Sequence, residues 1–173
     1  SNGKRGIAGL SMGATGAVTI ANAHPGVFDA VIGISGCYSP NSPAGRVMVD
    51  NIIGNAGASL SNLYGPAGAA GWRHADVVAN PSGLQDTAVY LTAAEGAITP
   101  AEQEYFADRT SSHMITGMGL EWGANSCARD LDTAMRSHGM DHQVLDLQRG
   151  GIHNWPNFSV ALERGWDAVK HAL

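Results

Sequence analysis

A serine flanked by glycines lies near the start of this 173-residue chain, where residues 9–13 read GLSMG, a G-x-S-x-G pattern. A serine hydroxyl can attack a carbonyl carbon when a sharp turn between a strand and a helix projects it into the open, and flanking glycines let nearby backbone pass without a Cβ clash. The neighbouring sequence fits, because residues 4–10 read as a short buried strand and residues 12–23 as a helix of small and apolar residues. We therefore predict that Ser11 is a nucleophile.

The helix that follows Ser11 has its own part in such chemistry. Its N-terminal dipole would point at the negative charge that develops on the attacked oxygen. The backbone N–H of Met12 is the expected donor to that oxyanion, and it supplies one of the two donors that such sites use.

Serine needs a neighbouring imidazole to take its proton. In folds with this strand–serine–helix arrangement the order along the chain is serine, acid, histidine, and the histidine follows the last strand. Only His153, within residues 148–155 (QRGGIHNW), occupies that place, and Gly150 and Gly151 permit a sharp loop that returns the ring over the sheet. We predict His153 as the base. The other histidines are interpreted as solvated or structural: His24, His74, His113, His138, His142 and His171.

The third member of such a set is an acid that accepts the second imidazole N–H. Glu95 directly follows a predicted strand, and Glu121 lies at the predicted start of the helix before the last strand. Reasoning from the neighbouring residues does not decide which of these two glutamates is the acid. The acids of the stretch between them are interpreted as a solvated helix face: Glu102, Glu104 and Asp108. Trp122, beside Glu121, is expected to pack in the core or against the imidazole loop.

Strands alternating with helices must position these groups. Strands are predicted at residues 4–10, 28–34, 87–93 and 142–147, and helices at 12–23, 99–113, within 120–138 and at 157–171. Residues 38–86 form a Gly/Ala-rich excursion with short helices near 47–53 and 76–79, and residues 95–118 form an insertion before the acid. This alternation indicates one α/β domain, a mostly parallel sheet with helices on both faces. The excursions share one edge of the sheet, where open α/β folds bind ligands.

Composition excludes some classes of function. The net charge is -5 and no cluster of Lys and Arg exceeds two neighbours, so a nucleic-acid surface is not expected. No apolar run approaches the roughly 20 residues that span a bilayer. Cys37 and Cys127 fit no CxxC metal site and form either one disulfide or two buried thiols. No metal or other cofactor is indicated.

Several segments together resemble a known family. Residues 9–13, 21–25 and 28–36 resemble the esterase-D-like branch of the α/β-hydrolases. Residues 64–66 (YGP), 72–76 (WRHAD), Asn80 and Leu84 are similar to the W-G-P…W…D-P…N…L run of the mycolyltransferases, which include the antigen 85 proteins and their corynebacterial relatives. Residues 152–158 (IHNWPNF) look like the H-S-W-x-x-W segment around that family's catalytic histidine. The resemblance covers about residues 5–173.

The resemblance carries expectations about structure. It implies the C-terminal portion of an α/β-hydrolase fold, because a nucleophile at position 11 leaves no chain for the strands that precede it in such folds. The N-terminal half of the same fold is then the expected partner, and residues 1–173 alone are expected to be inactive. The family's acid lies at the start of the helix before the last strand, which favours Glu121 over Glu95.

The resemblance also implies an activity. A mycolyl group would move between trehalose esters, or to cell-wall arabinan, through a Ser11 acyl-enzyme in a secreted, cell-envelope protein. Trp155 and residues 38–86 would shape the substrate sites. Gly13, where antigen 85 proteins usually have alanine, and Thr92, where they often have cysteine, point to a corynebacterial-type relative or a plainer esterase. A carboxylesterase and a non-catalytic secreted binding protein remain the alternatives.

Overall fold

Four parallel strands in the order β1-β2-β3-β4 form the sheet of the computed structural model, which describes residues 2–108 and 111–173. The strands are β1 Gly6–Leu10, β2 Ala30–Ile34, β3 Ala88–Ala94 and β4 Val144–Gln148. Every residue of β2 is buried, as expected for a central strand covered on both faces, while β1 and β4 are partly exposed. The predicted α/β class and parallel sheet are confirmed.

The register of the sheet aligns the ends of its first three strands. Leu10 pairs with Ile34, which pairs with Thr92. The ladder continues one residue further, because Ser11 N–H donates to Ile34 O and Ser35 N–H donates to Thr92 O, each over 2.8 Å. Ser11 and Ser35 therefore lie side by side at the carboxyl edge of the sheet.

Helices cover both faces of the sheet. Helices α1 (Met12–Ala23) and α6 (Ser111–Ser137) pack on the face that carries Val31 and Leu91, and α7 (Trp155–Val169) packs on the face that carries Ile32 and Tyr90. The remaining helices are α2 Pro43–Gly54, α3 Leu60–Tyr64, α4 Ala70–His74 and α5 Pro100–Tyr105, with single 3₁₀ turns at Ser82–Leu84 and Lys170–Ala172. Alternating strand side chains thus face a core on each side of the sheet, and Ala93 of β3 joins a third cluster around Cys37 and Cys127.

Some helix boundaries differ from those predicted. The helix expected over 99–113 ends at Tyr105, and the next helix, α6, already begins at Ser111 and runs for 27 residues. Residues 109 and 110 of that prediction lie outside the described residues. The helix expected near 76–79 is a turn, because Asp76 Oδ1 accepts the Ala79 N–H over 3.2 Å and this contact competes with a helical one.

A disulfide joins the loop after β2 to α6. Cys37 and Cys127 are bonded at 2.03 Å, which decides between the bridge and two buried thiols. Among the helices of the described residues, none has the length and apolar character needed to cross a bilayer.

Candidate active site

Ser11 occupies a strained turn between β1 and α1. Its φ of 54° lies in the left-handed region, which among the described non-glycine residues is shared only by Ser35, with φ 52°. Such backbone costs about 1–3 kcal/mol and persists where the surrounding structure enforces it. The turn is held by Ser11 O, which accepts the N–H groups of Ala14 (3.0 Å) and Thr15 (3.2 Å). The side chain is thereby lifted from the edge of the sheet.

The two glycines of the G-x-S-x-G pattern differ in their role. A Cβ on Gly9 would lie 2.0 Å from the carbonyl oxygen of Gly13, so only glycine fits there. A Cβ on Gly13 would meet no atom within 4 Å. The first glycine is therefore required by close backbone approach, and the second is not.

The imidazole of His153 bridges a hydroxyl and a carboxylate. Its Nε2 lies 2.8 Å from Ser11 Oγ and its Nδ1 lies 2.8 Å from Glu121 Oε2. Because a carboxylate only accepts hydrogen bonds, Nδ1 carries the ring hydrogen and Nε2 is left to accept the hydroxyl hydrogen of Ser11. The structure thus brings together three residues that are distant in the sequence, with Ser11 and His153 lying 142 positions apart. This arrangement can move a proton from serine to imidazole.

Glu121, rather than Glu95, contacts the imidazole. Its side chain is 3% exposed, and its second oxygen, Oε1, accepts the Ser35 hydroxyl over 2.5 Å and the Ala94 N–H over 2.8 Å. Glu95 is exposed just beyond β3. The expectation that Glu121 begins its helix is wrong, because α6 starts at Ser111, ten residues earlier.

The loop that carries His153 has three backbone N–H groups fixed by three different partners. Gly151 N–H donates to Ala97 O over 2.7 Å, Ile152 N–H to Glu102 Oε1 over 3.0 Å, and His153 N–H to Gly117 O over 3.1 Å. Gly150 and Gly151 have φ of 74° and 106°, a backbone that glycine adopts without strain. The loop is sharp, as its glycines predict.

Glu102 was missed as part of the site by sequence reasoning. It is 3% exposed instead of lying on a solvated helix face. Burial raises the pKa of its carboxyl group, but hydrogen bonds from Thr99, Asn157 and Ile152 outweigh burial and leave the pKa below its ordinary value. The capping-box spacing of Thr99 and Glu102 in the sequence is a signal for the contact at the helix start. No local pattern predicts the contact with Ile152.

Met12 is the first residue of α1, so its backbone N–H has no acceptor within the helix and lies at the positive end of the helix dipole.

Trp155 begins α7, is 67% exposed, and packs edge-on against Phe158 at 6.0 Å between ring centroids. Phe158 in turn packs edge-on against the His153 ring at 4.8 Å. Trp122 is 68% exposed, so the expectation of core packing is wrong.

Two kinds of cavity lie near Ser11 and His153. Beside Ser11 lies an apolar pocket whose walls come from the excursion helices and α1, with Thr15, Met48, Ile52, Leu63 and Tyr64. Met48 also borders a groove of about 450 Å³ between α2 and α6, which contains Trp122. On the far side of His153 a more polar cavity of about 440 Å³ is lined by Asn55, Tyr105, His113, Thr116 and Trp155. Among residues 2–108 and 111–173, no cluster of three or more His, Cys, Asp or Glu side chains could hold a metal ion.

The parallel sheet, the strained serine turn and the histidine loop after the last strand define an α/β-hydrolase fold. The chain belongs to the esterase family described as "Putative esterase", whose sequence model matches residues 1–167.

Comparison with individual proteins shows which members of this family the chain is similar to. The chain is 24% identical over 170 residues to the diacylglycerol acyltransferase/mycolyltransferase Ag85A of Mycobacterium bovis (strain BCG / Pasteur 1173P2) and to that of Mycobacterium tuberculosis (strain ATCC 25618 / H37Rv); each match covers 96% of this chain and 48% of the relative. The crystal structure of Mycobacterium tuberculosis MPT51 (FbpC1) is similar with a TM-score of 0.67 at 18% identity, covering 94% of this chain and 59% of that one. The resemblance to antigen 85-like proteins is confirmed, and the chain spans about half the length of the curated relatives it matches.

Proposed function

We propose that this chain carries the reactive residues of a serine acyltransferase, with Ser11 as nucleophile, His153 as base and Glu121 as the acid that orients the ring. The observation that carries the proposal is the continuous hydrogen-bonded path from Glu121 through His153 to Ser11, with both links at 2.8 Å. This is the spacing that proton transfer from a serine hydroxyl requires.

The reaction proceeds in two balanced steps. Ser11 Oγ attacks the ester carbonyl carbon and its proton passes to His153 Nε2, which then protonates the departing alkoxide as the ester C–O bond breaks. An acceptor hydroxyl next gives its proton to the same nitrogen and attacks the acyl-serine. The imidazolium returns that proton to Ser11 Oγ as the bond between the acyl carbon and Oγ breaks, which releases the product ester and restores the serine hydroxyl. Glu121 stabilises the imidazolium in both steps.

The developing oxyanion needs two donors, of which the Met12 N–H is one. Removing one such donor typically costs about 10²–10³ in rate. We propose that the second donor comes from the N-terminal half of the same fold, since the chain spans about half the length of its curated relatives. Activity is therefore expected of the whole protein and not of residues 1–173 alone.

The cavities favour a long acyl chain and a polar acceptor. The groove of about 450 Å³ between α2 and α6, which shares Met48 with the small apolar pocket beside Ser11, suits a hydrocarbon chain. The cavity beyond His153 presents aromatic, amide and hydroxyl side chains, Trp155 among them, that suit a sugar. Together with the names of the Ag85A relatives, these features support a trehalose mycolate or related glycolipid as donor. Another trehalose ester or cell-wall arabinan would be the acceptor, in a secreted or cell-envelope protein.

Hydrolysis is the second candidate, because the matched family is described as an esterase and the same base would activate water. Incubating the whole protein with trehalose monomycolate distinguishes the two. Trehalose dimycolate as product supports transfer, whereas only free mycolate and trehalose would support an esterase.

The nucleophile is tested separately with a fluorophosphonate probe on the whole protein. Wild type and a variant at the exposed Ser82, Ser82→Ala, are expected to be labelled equally, and Ser11→Ala not at all. An unlabelled wild type would contradict the proposal and favour a binding protein built on this scaffold.

A further inference from the structure

The loop that carries His153 is fastened by a charged group outside the hydrogen-bonded path. Of the three acceptors that hold the loop N–H groups, two are backbone carbonyls, and the third is the Glu102 carboxylate. The amide that Glu102 holds is that of Ile152, a residue with 0% exposure immediately before His153.

Glu102 also acts on Ile152 through a second side chain. Asn157 Nδ2 donates to Glu102 Oε1 over 2.7 Å and to Ile152 O over 2.8 Å. Both backbone polar groups of Ile152 are thus held, the N–H by Glu102 and the C=O by Asn157, and the two side chains are bonded to each other. This closed set of contacts joins the start of α5 and the first turn of α7 to the backbone that carries the imidazole.

The carboxylate is well suited to remain charged in this position. A buried charge is unfavourable unless its hydrogen bonds are made. The other oxygen, Oε2, accepts the backbone N–H of Thr99 over 2.8 Å and the hydroxyl of the same residue. Each oxygen therefore has two donors: Oε2 has the two from Thr99 at its own helix start, and Oε1 has the Ile152 N–H of the histidine loop and the Asn157 side chain of α7.

We infer that Glu102 is a positioning residue: by accepting the Ile152 N–H it holds His153 within hydrogen-bond distance of Ser11. This inference rests on the proposed function. Without the carboxylate, the Ile152 N–H and one Asn157 N–H lose their acceptor inside the protein, and unpaired buried donors drive the loop to rearrange. A displacement of about 1 Å at a reacting group can cost about 10²-fold in rate. The loop rearrangement would move the imidazole, and not the serine turn.

A purely structural role, as a cap of α5, predicts something different. Thr99→Ala removes the hydroxyl donor at the helix start and leaves the Ile152 and Asn157 donors to Oε1 in place. If Glu102 acted only as part of the cap, Thr99→Ala and Glu102→Ala would have comparable effects on the site. If Glu102 positions the loop, only the Glu102 variant disturbs His153.

The test measures the rate of fluorophosphonate labelling of Ser11 in the whole protein. Glu102→Ala should label about 10- to 100-fold more slowly than wild type. Glu102→Gln, which keeps the size and one acceptor oxygen, should fall between them. Thr99→Ala and the exposed, same-helix control Glu104→Gln should label at the wild-type rate.

Two further measurements separate this inference from the proposed function. In a His153→Ala background, adding Glu102→Ala should cause no further loss of labelling; an equal loss in both backgrounds would overturn the inference. The far-downfield proton resonance of the His153 Nδ1–H should shift or disappear in Glu102→Ala and persist in Thr99→Ala. An unchanged resonance would overturn the inference even if wild type were not labelled, and an unlabelled wild type with the predicted resonance change would contradict the proposed function alone.

Discussion

Ser35 donates its hydroxyl hydrogen to Glu121 Oε1 over 2.5 Å, on the carboxylate oxygen that His153 does not use. Ser35 follows β2 as Ser11 follows β1, and both have left-handed backbone, with φ of 52° and 54°. Adjacent strands are therefore each followed by a serine with a strained, positive φ. One presents the proposed nucleophile, and the other holds the proposed acid.

Replacing Ser35 with alanine should remove a donor to a buried carboxylate. Hydrogen bonds to charged groups contribute about 1.5–3 kcal/mol, so the free energy of unfolding should fall by that amount. Turnover should fall as well, because Glu121 is left with only the Ala94 N–H on Oε1. Ser35→Gly separates the two effects of this residue, since glycine relieves the strained φ but also lacks the hydroxyl. Urea unfolding and kcat of both variants check this, and wild-type turnover in Ser35→Ala would contradict it.

The two glutamates considered from sequence should respond differently to amide substitution. Glu121→Gln should lower kcat by about 10⁴, as expected when an amide replaces the acid beside a catalytic imidazole. Glu95→Gln should leave kcat unchanged, because Glu95 is exposed beyond β3. Steady-state kinetics of the whole protein measure both, and equal losses in the two variants would argue against Glu121 as the acid.

The glycines around Ser11 should differ in tolerance to a methyl group. Gly9→Ala places a Cβ 2.0 Å from Gly13 O and should destabilise the fold by about 1–3 kcal/mol, the usual cost of overpacking. Gly13→Ala meets no atom within 4 Å and lies within α1, where alanine is favoured over glycine by about 0.5–1 kcal/mol. Denaturant unfolding of the two variants should give shifts of opposite sign.

The disulfide should be a large contributor to stability. Cys37 and Cys127 are 90 positions apart, and a loop of that length predicts about 4–5 kcal/mol by the chain-entropy relation. A Cys37→Ala/Cys127→Ala double variant should lose stability by about that amount and become insensitive to reductant. Thermal unfolding with and without reductant measures the effect. If wild type had the same Tm in both conditions, the bridge would not stabilise the fold.

Low pH should weaken the contribution of Glu102 to the free energy of unfolding. Burial raises the pKa of this carboxyl group, yet the hydrogen bonds from Thr99, Asn157 and Ile152 set it below the ordinary value of 4.5. The stabilisation is therefore fully present above about pH 4.5 and is lost as the pH falls through the lowered pKa. The difference in unfolding free energy between wild type and Glu102→Gln should shrink below that pH. A difference that stays constant with pH would refute this linkage.

The sequence alone predicted those parts of the site whose backbone geometry depends on neighbouring residues in the chain. The pattern at residues 9–13 and the paired glycines before His153 predicted the serine turn and the imidazole loop, because backbone geometry there depends on the absence of side chains. Glu121 could not be separated from Glu95 by local reasoning, since its position depends on where α6 begins and how it crosses β3. Glu102 was misread for a related reason. Its burial is set by a loop 50 residues later in the chain, and helix periodicity does not report on that contact.

The ladder that continues past β1 and β2 has a consequence for refolding. Ser11 N–H is bonded to Ile34 O, and Ser35 N–H to Thr92 O, so the two serines are aligned by the pairing of neighbouring strands. If β2 paired one residue out of register during folding, its side chains would exchange faces of the sheet. Ser35 would then lose its hydrogen bond to Glu121, and the Ser11 N–H would lose Ile34 O as its acceptor. Recovery of probe labelling during refolding would therefore require that these strands have reached their native alignment.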